Sequence, residues 1–244
     1  MNIVADLHCH TIASTHAYNT LRDNINAAKK KGLIGLAITD HGIACPDGPH
    51  LSYFENLNSL PDWVEGIRLL KGVEANIIDF DGNLDMPDEL MKNLDIVVAS
   101  FHTTCISPRE SIDHTRAYLG VAENPHVDII GHSGTPEFSF DYQKVIPVFK
   151  RRNKIVEINA HTFVCRKRSI PNCEEILRIC KRNDVRIVVN SDAHSEFEVG
   201  TWDLALEKIR HIDFPEELII NSTEDRFFAY LREIGRDSDE KAIR

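Results

Sequence analysis

Seven short apolar runs, rich in β-branched residues, recur along the chain at residues 3–7, 34–39, 67–73, 96–101, 127–131, 155–158 and 185–189. Each is followed by a stretch with helical spacing, the clearest at 21–31, 111–123, 141–153, 172–183, 202–209 and 223–234. Shorter helical stretches fall at 51–60 and 87–94, and Asp81-Gly82 marks a turn. Runs that are apolar throughout suit strands buried on both faces, as in parallel sheets covered by helices. The pattern predicts an α/β fold, most simply one closed, TIM-like barrel, with a doubly wound open sheet as the alternative. No linker-like segment or composition break interrupts it, so one domain is expected over 1–235, followed by a charged, frayed tail at 236–244.

A chain of 244 residues can bury roughly 70% of its unfolded surface, enough for a core without covalent staples. Its six cysteines contain no CxxC pair and read as reduced thiols in a cytoplasmic protein. No run of 18 apolar residues suggests a membrane span, and the first ten residues lack the pattern of a signal peptide. The net charge of −10 argues against nucleic acid and anionic membranes as partners, because long-range repulsion opposes encounter. It leaves room for an anionic small substrate if bound cations reverse the field at one site. The pattern is compatible with a homo-oligomer and does not specify one.

The chain holds 12 histidines, and their positions carry the argument. His8 and His10 follow the first run, His41 the second, and Glu74 ends the third; His102 ends the fourth and His132 the fifth, while Asp192 and His194 follow the last. In a parallel barrel all of these strand ends share one face, where active sites lie. Imidazole and carboxylate together are ligands for zinc, manganese or iron. Period-two geometry sends His8 and His10 to one side and Cys9 to the other, and treats Asp192 and His194 likewise. A lone HxH pair is usually a pair of satisfied polar residues. Eight potential ligands at six strand ends are far harder to explain that way. His50, His114, His126 and His211 fall away from strand ends and read as surface or helix-end residues, and His161 follows the sixth run close to the expected site.

The order HxH, Thr39-Asp40-His41-Gly42, strand-end Glu74, strand-end His102, Gly131-His132 and Ser191-Asp192-Ala193-His194 resembles the PHP superfamily (polymerase and histidinol phosphatase). The resemblance runs from Asp6 to about Asn221, and the stretches 8–18 and 72–77 are similar to the YcdX-type phosphatase branch. It implies a distorted (β/α)7 barrel and a trinuclear centre, usually of zinc, with manganese or iron as substitutes. Carried over, one metal takes His8, His10, Glu74 and Asp192; a second shares Glu74 and takes His102 and His132; a third takes His16, His41 and His194. Only the resemblance brings in His16, a loop residue. Where the family commonly has His-Pro this chain has His132-Ser133, which implies an altered loop with the ligand retained.

The implied activity is a metal-dependent phosphoesterase, a phosphatase acting on a small phosphomonoester through a metal-bound hydroxide. Asp40 is expected to orient a ligand, and Arg166, with Lys167 in the basic loop 163–169, to grip the phosphate. Two rival readings stand beside it. An amidohydrolase-type centre usually bridges its metals with a modified lysine where this chain offers Glu74. A non-catalytic metal-binding protein is the other.

Overall fold

The computed structural model describes residues 1–237. Seven parallel strands follow one another around a nearly closed barrel: β1 (Ala5–Asp6), β2 (Gly35–Ile38), β4 (Ile67–Asn76), β5 (Ile96–Ser100), β6 (Ile129–Ile130), β7 (Ile155–Asn159) and β8 (Ile187–Asn190). A two-residue strand, β3 (Trp63–Val64), pairs antiparallel with β4 at its start. The outer helices are α1 (Leu21–Lys30), α2 (Leu51–Asn56), α3 (Asp88–Met91), α4 (Ser111–Glu123), α5 (Tyr142–Arg151), α6 (Ala160–Cys165), α7 (Ile170–Arg182), α8 (Asp203–His211) and α9 (Glu224–Glu233). Their starts are written locally: Thr20 and Asp23 form a reciprocal capping box on α1, and Asp141, Asn159 and Thr223 cap α5, α6 and α9. Among these helices none is long and apolar enough to cross a membrane.

The strands alternate between two apolar layers. Leu36, Ile38, Leu69, Val73, Val97, Ile130, Val156 and Val189 face the helices. Ala5, Ala37, Leu70, Ile96, Val98, Ile129, Ile155 and Val188 fill the barrel interior, and Phe227, Tyr230 and Leu231 of α9 plug its lower mouth. A Cβ on Gly35 would sit 2.4 Å from the Phe227 ring, so the plug requires glycine there. Along β4 the interior series Leu70, Gly72, Glu74 climbs from apolar floor to polar rim in steps of two. The β5 series Ile96, Val98, Ser100 does the same below His102, and β7 follows with Ile155, Glu157, Asn159.

The seam between β1 and β8 is closed largely by side chains. Buried Asn221 donates to the Ala5 and Val189 carbonyls at 2.8 and 2.7 Å, and Leu7 N donates to Asn190 Oδ1 at 2.9 Å. At the top, Asp192 N reaches His8 O and His10 N reaches Ala193 O, both at 2.9 Å. These bonds stand in for a missing ladder and bring the two ends of the sequence to one rim.

Three local expectations change. β4 runs on to Asn76, so Glu74 lies within the strand and not at its end. The loop expected at 163–169 is helical for most of its length: α6 runs through Cys165 because Asn159 accepts the Thr162 amide and supplies its N-cap, and one 3-10 turn follows at Lys167–Ser169. Of the tail at 236–244, Arg236 is tied down, accepting from Arg68 and donating to the Lys92 carbonyl; positions 238–244 lie outside the described residues.

Candidate metal centre

The C-terminal rim of the barrel gathers eight of the expected ligands from six strands, and the loop after β1 adds His16. Glu74 is the hub and is fully buried. Its Oε1 lies 2.8 Å from His132 Nε2 and 3.3 Å from His102 Nε2. Its Oε2 lies 2.8 Å from His41 Nδ1, 3.4 Å from His8 Nε2 and 3.5 Å from His10 Nε2. Asp192 Oδ1 is 3.1 Å from His10 Nε2 and 3.5 Å from His8 Nε2, whose own separation is 3.2 Å. At the solvent side His16 Nε2 and His194 Nε2 lie 2.9 Å apart, with the His41 ring 5.1 Å from that of His16. His10, His41 and His194 form one group of converging ligand atoms, His8, His10 and Glu74 a second, and His41, Glu74 and His102 a third. His41 therefore stands between two positions, not at the outer one alone.

Backbone geometry supplies part of this convergence. Along β6, Ile129 and Gly131 point inward, so His132 should point out. It turns in with φ of 20°, its amide held by Glu157 Oε2 at 2.8 Å. Asp192 likewise takes φ of 56°. Non-glycine residues in this region mark sites whose surroundings enforce the conformation.

Several imidazoles are also aimed from behind. His8 Nδ1 donates to Glu157 Oε1 at 2.7 Å, His102 Nδ1 to Asn76 Oδ1 at 2.7 Å, and His194 Nδ1 to the Asp192 carbonyl at 2.9 Å. Each bond fixes the tautomer that leaves the Nε2 lone pair facing the centre.

The charges of the centre act strongly on one another: at His41 burial is outweighed by Glu74, which raises that imidazole. Burial pushes the Glu74 and Asp192 carboxyls up, but the surrounding imidazoles, joined at Asp192 by the Arg166 guanidinium, outweigh it and hold both well below the usual range. Burial, together with neighbouring imidazoles, holds His10 and His194 below theirs. For His132, burial and the Arg166 charge do the same. For His8 the balance reverses: Glu157, Glu74 and Asp192 outweigh burial and raise it. His10 Nδ1, His41 Nδ1, His102 Nε2 and Glu74 Oε2 are buried with no hydrogen-bond partner among the described residues. The 2.8 Å His41–Glu74 approach is not aligned as a hydrogen bond. Buried polar atoms left unpaired are costly. Ionised carboxylates and converging imidazole nitrogens sharing a cavity fit a set of divalent cations, which would displace the protons that His8 and His41 otherwise favour.

The other singled-out residues divide. Asp40 accepts from Thr11 N and Oγ1, Ser14 N and Oγ, and Tyr53 Oη at 2.6–3.2 Å, so its carboxylate staples the loop leading to His16 and touches no ligand imidazole. Arg166 reaches the centre: Nη2 is 3.0 Å from Asp192 Oδ2, and Nη1 is buried with no partner among the described residues. It separates two recesses of about 380 and 270 Å³, one beside His16, His194 and Glu198, the other beside His102 and His132. Lys167 is exposed. The His161 ring lies 5.7 Å from that of His194, tilted by 34°, and its Nδ1 is 3.6 Å from Glu198. Cys9 packs in the outer apolar layer, away from the imidazoles, and the six cysteines are free thiols. His114, read as a surface or helix-end residue, sits in the first turn of α4 but is buried among Phe80, Phe101 and Phe138, with Nδ1 on the Ser139 carbonyl. Among the described residues the two buried lysines are bound elsewhere, Lys71 to Asp62 and Lys154 to the Asn124 and Val127 carbonyls, so neither offers the bridge of an amidohydrolase-type centre.

A model of the PHP domain matches residues 6–161. A probable phosphatase of Acetivibrio thermocellus is 46% identical over 95% of this chain and 96% of its own. One from Caldicellulosiruptor saccharolyticus is 42% identical over 97% and 99%. In fold, the chain is similar to histidinol phosphate phosphatase from Lactococcus lactis, crystallised with zinc, L-histidinol and phosphate: TM-score 0.63, 19% identity, 87% of this chain and 93% of that one. A probable 2-pyrone-4,6-dicarboxylic acid hydrolase from Acinetobacter baumannii shares the fold at TM-score 0.53 and 14% identity, over 95% of this chain and all of that one. Barrel shape alone therefore does not select the chemistry. Sequence identity across nearly the whole length, together with the domain match, does place the protein: the chain belongs to the PHP domain family.

Proposed function

We propose that this protein is a metal-dependent phosphatase that hydrolyses a small phosphomonoester at a trinuclear centre. The observation that carries the proposal is five imidazoles converging on the one buried carboxylate of Glu74, with Asp192 and the His16–His194 pair beside it. His8, His10, Glu74 and Asp192 would hold one ion, Glu74, His102 and His132 a second, and His16, His41 and His194 a third. The names of the relatives and the zinc and phosphate in the Lactococcus lactis enzyme support the same reading. Zinc, or manganese or iron in its place, supplies a water nucleophile at neutral pH and neutralises charge on phosphoryl oxygens.

The chain's own residues would then position the ester. The Arg166 guanidinium, braced on Asp192 with Nη1 unpaired among the described residues, lines the two recesses and suits a charge-assisted bond to a phosphate oxygen. Asp40 acts at one remove by keeping the loop of His16 in place. The test is a panel of phosphorylated metabolites assayed on metal-stripped and zinc-reconstituted protein. Phosphate release that appears only after reconstitution supports the proposal; reconstituted protein that binds zinc but releases phosphate from no ester refutes it.

A further inference from the structure

Glu157 lies in the middle of β7, flanked by β6 and β8, and is 4% exposed. Its carboxylate accepts four N–H groups. His8 Nδ1 at 2.7 Å and Asn190 Nδ2 at 2.9 Å share Oε1. The His132 amide at 2.8 Å and Asn159 Nδ2 at 3.0 Å share Oε2. With both oxygens facing donors, the group has no lone pair left to coordinate a cation. It sits behind the centre and grips two residues that belong to different metal positions, His8 and His132.

The grip extends further. The Asn159 amide nitrogen that donates to Glu157 is also 3.1 Å from Asp192 Oδ2. Its Oδ1 accepts the Thr162 amide and so caps α6, whose C-terminal cap residue is Arg166. Arg166 returns to Asp192 at 3.0 Å. A closed ring of hydrogen bonds and one short helix thus connects an imidazole of the first position, the amide of His132 and the guanidinium that faces the recesses. We propose that Glu157 is a positioning residue that couples these three elements, so that the metal positions holding His8 and His132 assemble together and bring Arg166 into place with them.

The inference rests on the metal-centre reading above, and its chemistry is demanding. Glutamine has the same shape but only one acceptor oxygen, so in either orientation its NH2 group would face two N–H donors. Glu157→Gln should therefore weaken zinc binding at the His8 and His132 positions by about 10–100-fold, the range for losing a partner that orients a ligand. The position of His16, His41 and His194 should change less than threefold, since none of these touches Glu157.

The measurement is competition for zinc alone against a graded set of chelators, with circular dichroism as the check on folding. Asn159→Asp, which keeps the α6 cap but turns the donor into an acceptor between two carboxylates, should lose zinc at the same positions. It decides the matter if Glu157→Gln fails to fold. Independently of any variant, 15N spectra of the zinc-loaded wild-type protein should show His8 protonated at Nδ1 and not at Nε2. Zinc affinities within threefold of wild type in the folded variant, whatever its melting temperature does, or a His8 protonated at Nε2 in the zinc-loaded protein, would overturn the coupling. Wild-type protein that takes up no zinc would instead overturn the metal-centre reading itself.

Discussion

Glu74→Gln isolates the part of the centre on which the functional reading depends most. The side chain is fully buried, and its two oxygens approach five imidazole nitrogens at 2.8–3.5 Å. Glutamine keeps the volume and one oxygen but removes the charge and turns two donor protons toward those nitrogens. A unit charge pair about 4 Å apart is worth ~4 kcal/mol at an effective dielectric near 20, and a divalent ion doubles that gross attraction. Relief from burying a charge offsets part of the gain. A net loss of about 4 kcal/mol per position remains, on the order of a thousandfold in affinity. Because Glu74 is assigned as a ligand in two of the three sets, two ions should weaken together. His132→Ala should weaken mainly one, and His41→Ala should spare the position of His8 and Asp192. Turnover of Glu74→Gln should fall by on the order of a hundredfold or more, the scale for losing one preorganised electrostatic group. Metal content by elemental analysis and phosphate release are to be measured side by side for the three variants. Full metal content with near-normal turnover in Glu74→Gln would make Glu74 an ordinary buried carboxylate and refute the assignment.

Four further outcomes follow. His16→Ala should lower the metal content from about three to about two with unchanged circular dichroism, because His16 is 41% exposed and its ring meets the centre only through His194 and His41; a wild-type content of one or fewer after reconstitution would exclude the trinuclear centre. Cys9→Ala should retain all metal and cost on the order of 1 kcal/mol in stability, since Cys9 packs in the outer layer; loss of metal would show that the register through His8 and His10 is wrong. Arg166→Ala should retain zinc but raise KM for a phosphomonoester and the inhibition constant of inorganic phosphate by about tenfold or more, the effect of a lost charge-assisted bond; unchanged constants would remove Arg166 from the recess. Burial raises the Asp128 carboxyl from 3.8 to about 6, so the folded state binds its proton more tightly and this residue's contribution to stability rises as pH falls from about 6 toward 4. The stability of Asp128→Asn relative to wild type should accordingly decline by about 2 kcal/mol between pH 7 and pH 4 in urea melts, and a pH-independent difference would contradict the shift.

The candidate ligands and the residues behind them were legible to different degrees, and the reason is physical. A ligand at the end of a strand needs only the strand and its direction to be placed. Eight of the nine ligand candidates were reached that way, although two arrived by routes that strand counting does not describe. Glu74 lies inside β4, and His132 turns inward only through its positive φ. His16 belongs to no strand, and its approach to His194 depends on a loop stapled by Asp40 more than twenty residues away. Nothing local encodes that closure, and only the family resemblance supplied it. The residues behind the ligands depend on pairing between distant elements: Asn76 on β4 meets His102 beyond β5, and Glu157 on β7 meets His8 beyond β1. Yet Glu157 did carry a signal. It is the one charged residue in the strand Ile-Val-Glu-Ile-Asn, at a position where the period-two pattern points into the barrel. A carboxylate placed there must be paired or pay a heavy desolvation cost. In a barrel whose rim already gathers imidazoles, its partner was therefore to be sought among them. His114 shows the converse: its neighbours Phe80, Phe101 and Phe138 come from three separate segments, so a helical histidine that reads as superficial is buried by contacts its own helix does not reveal.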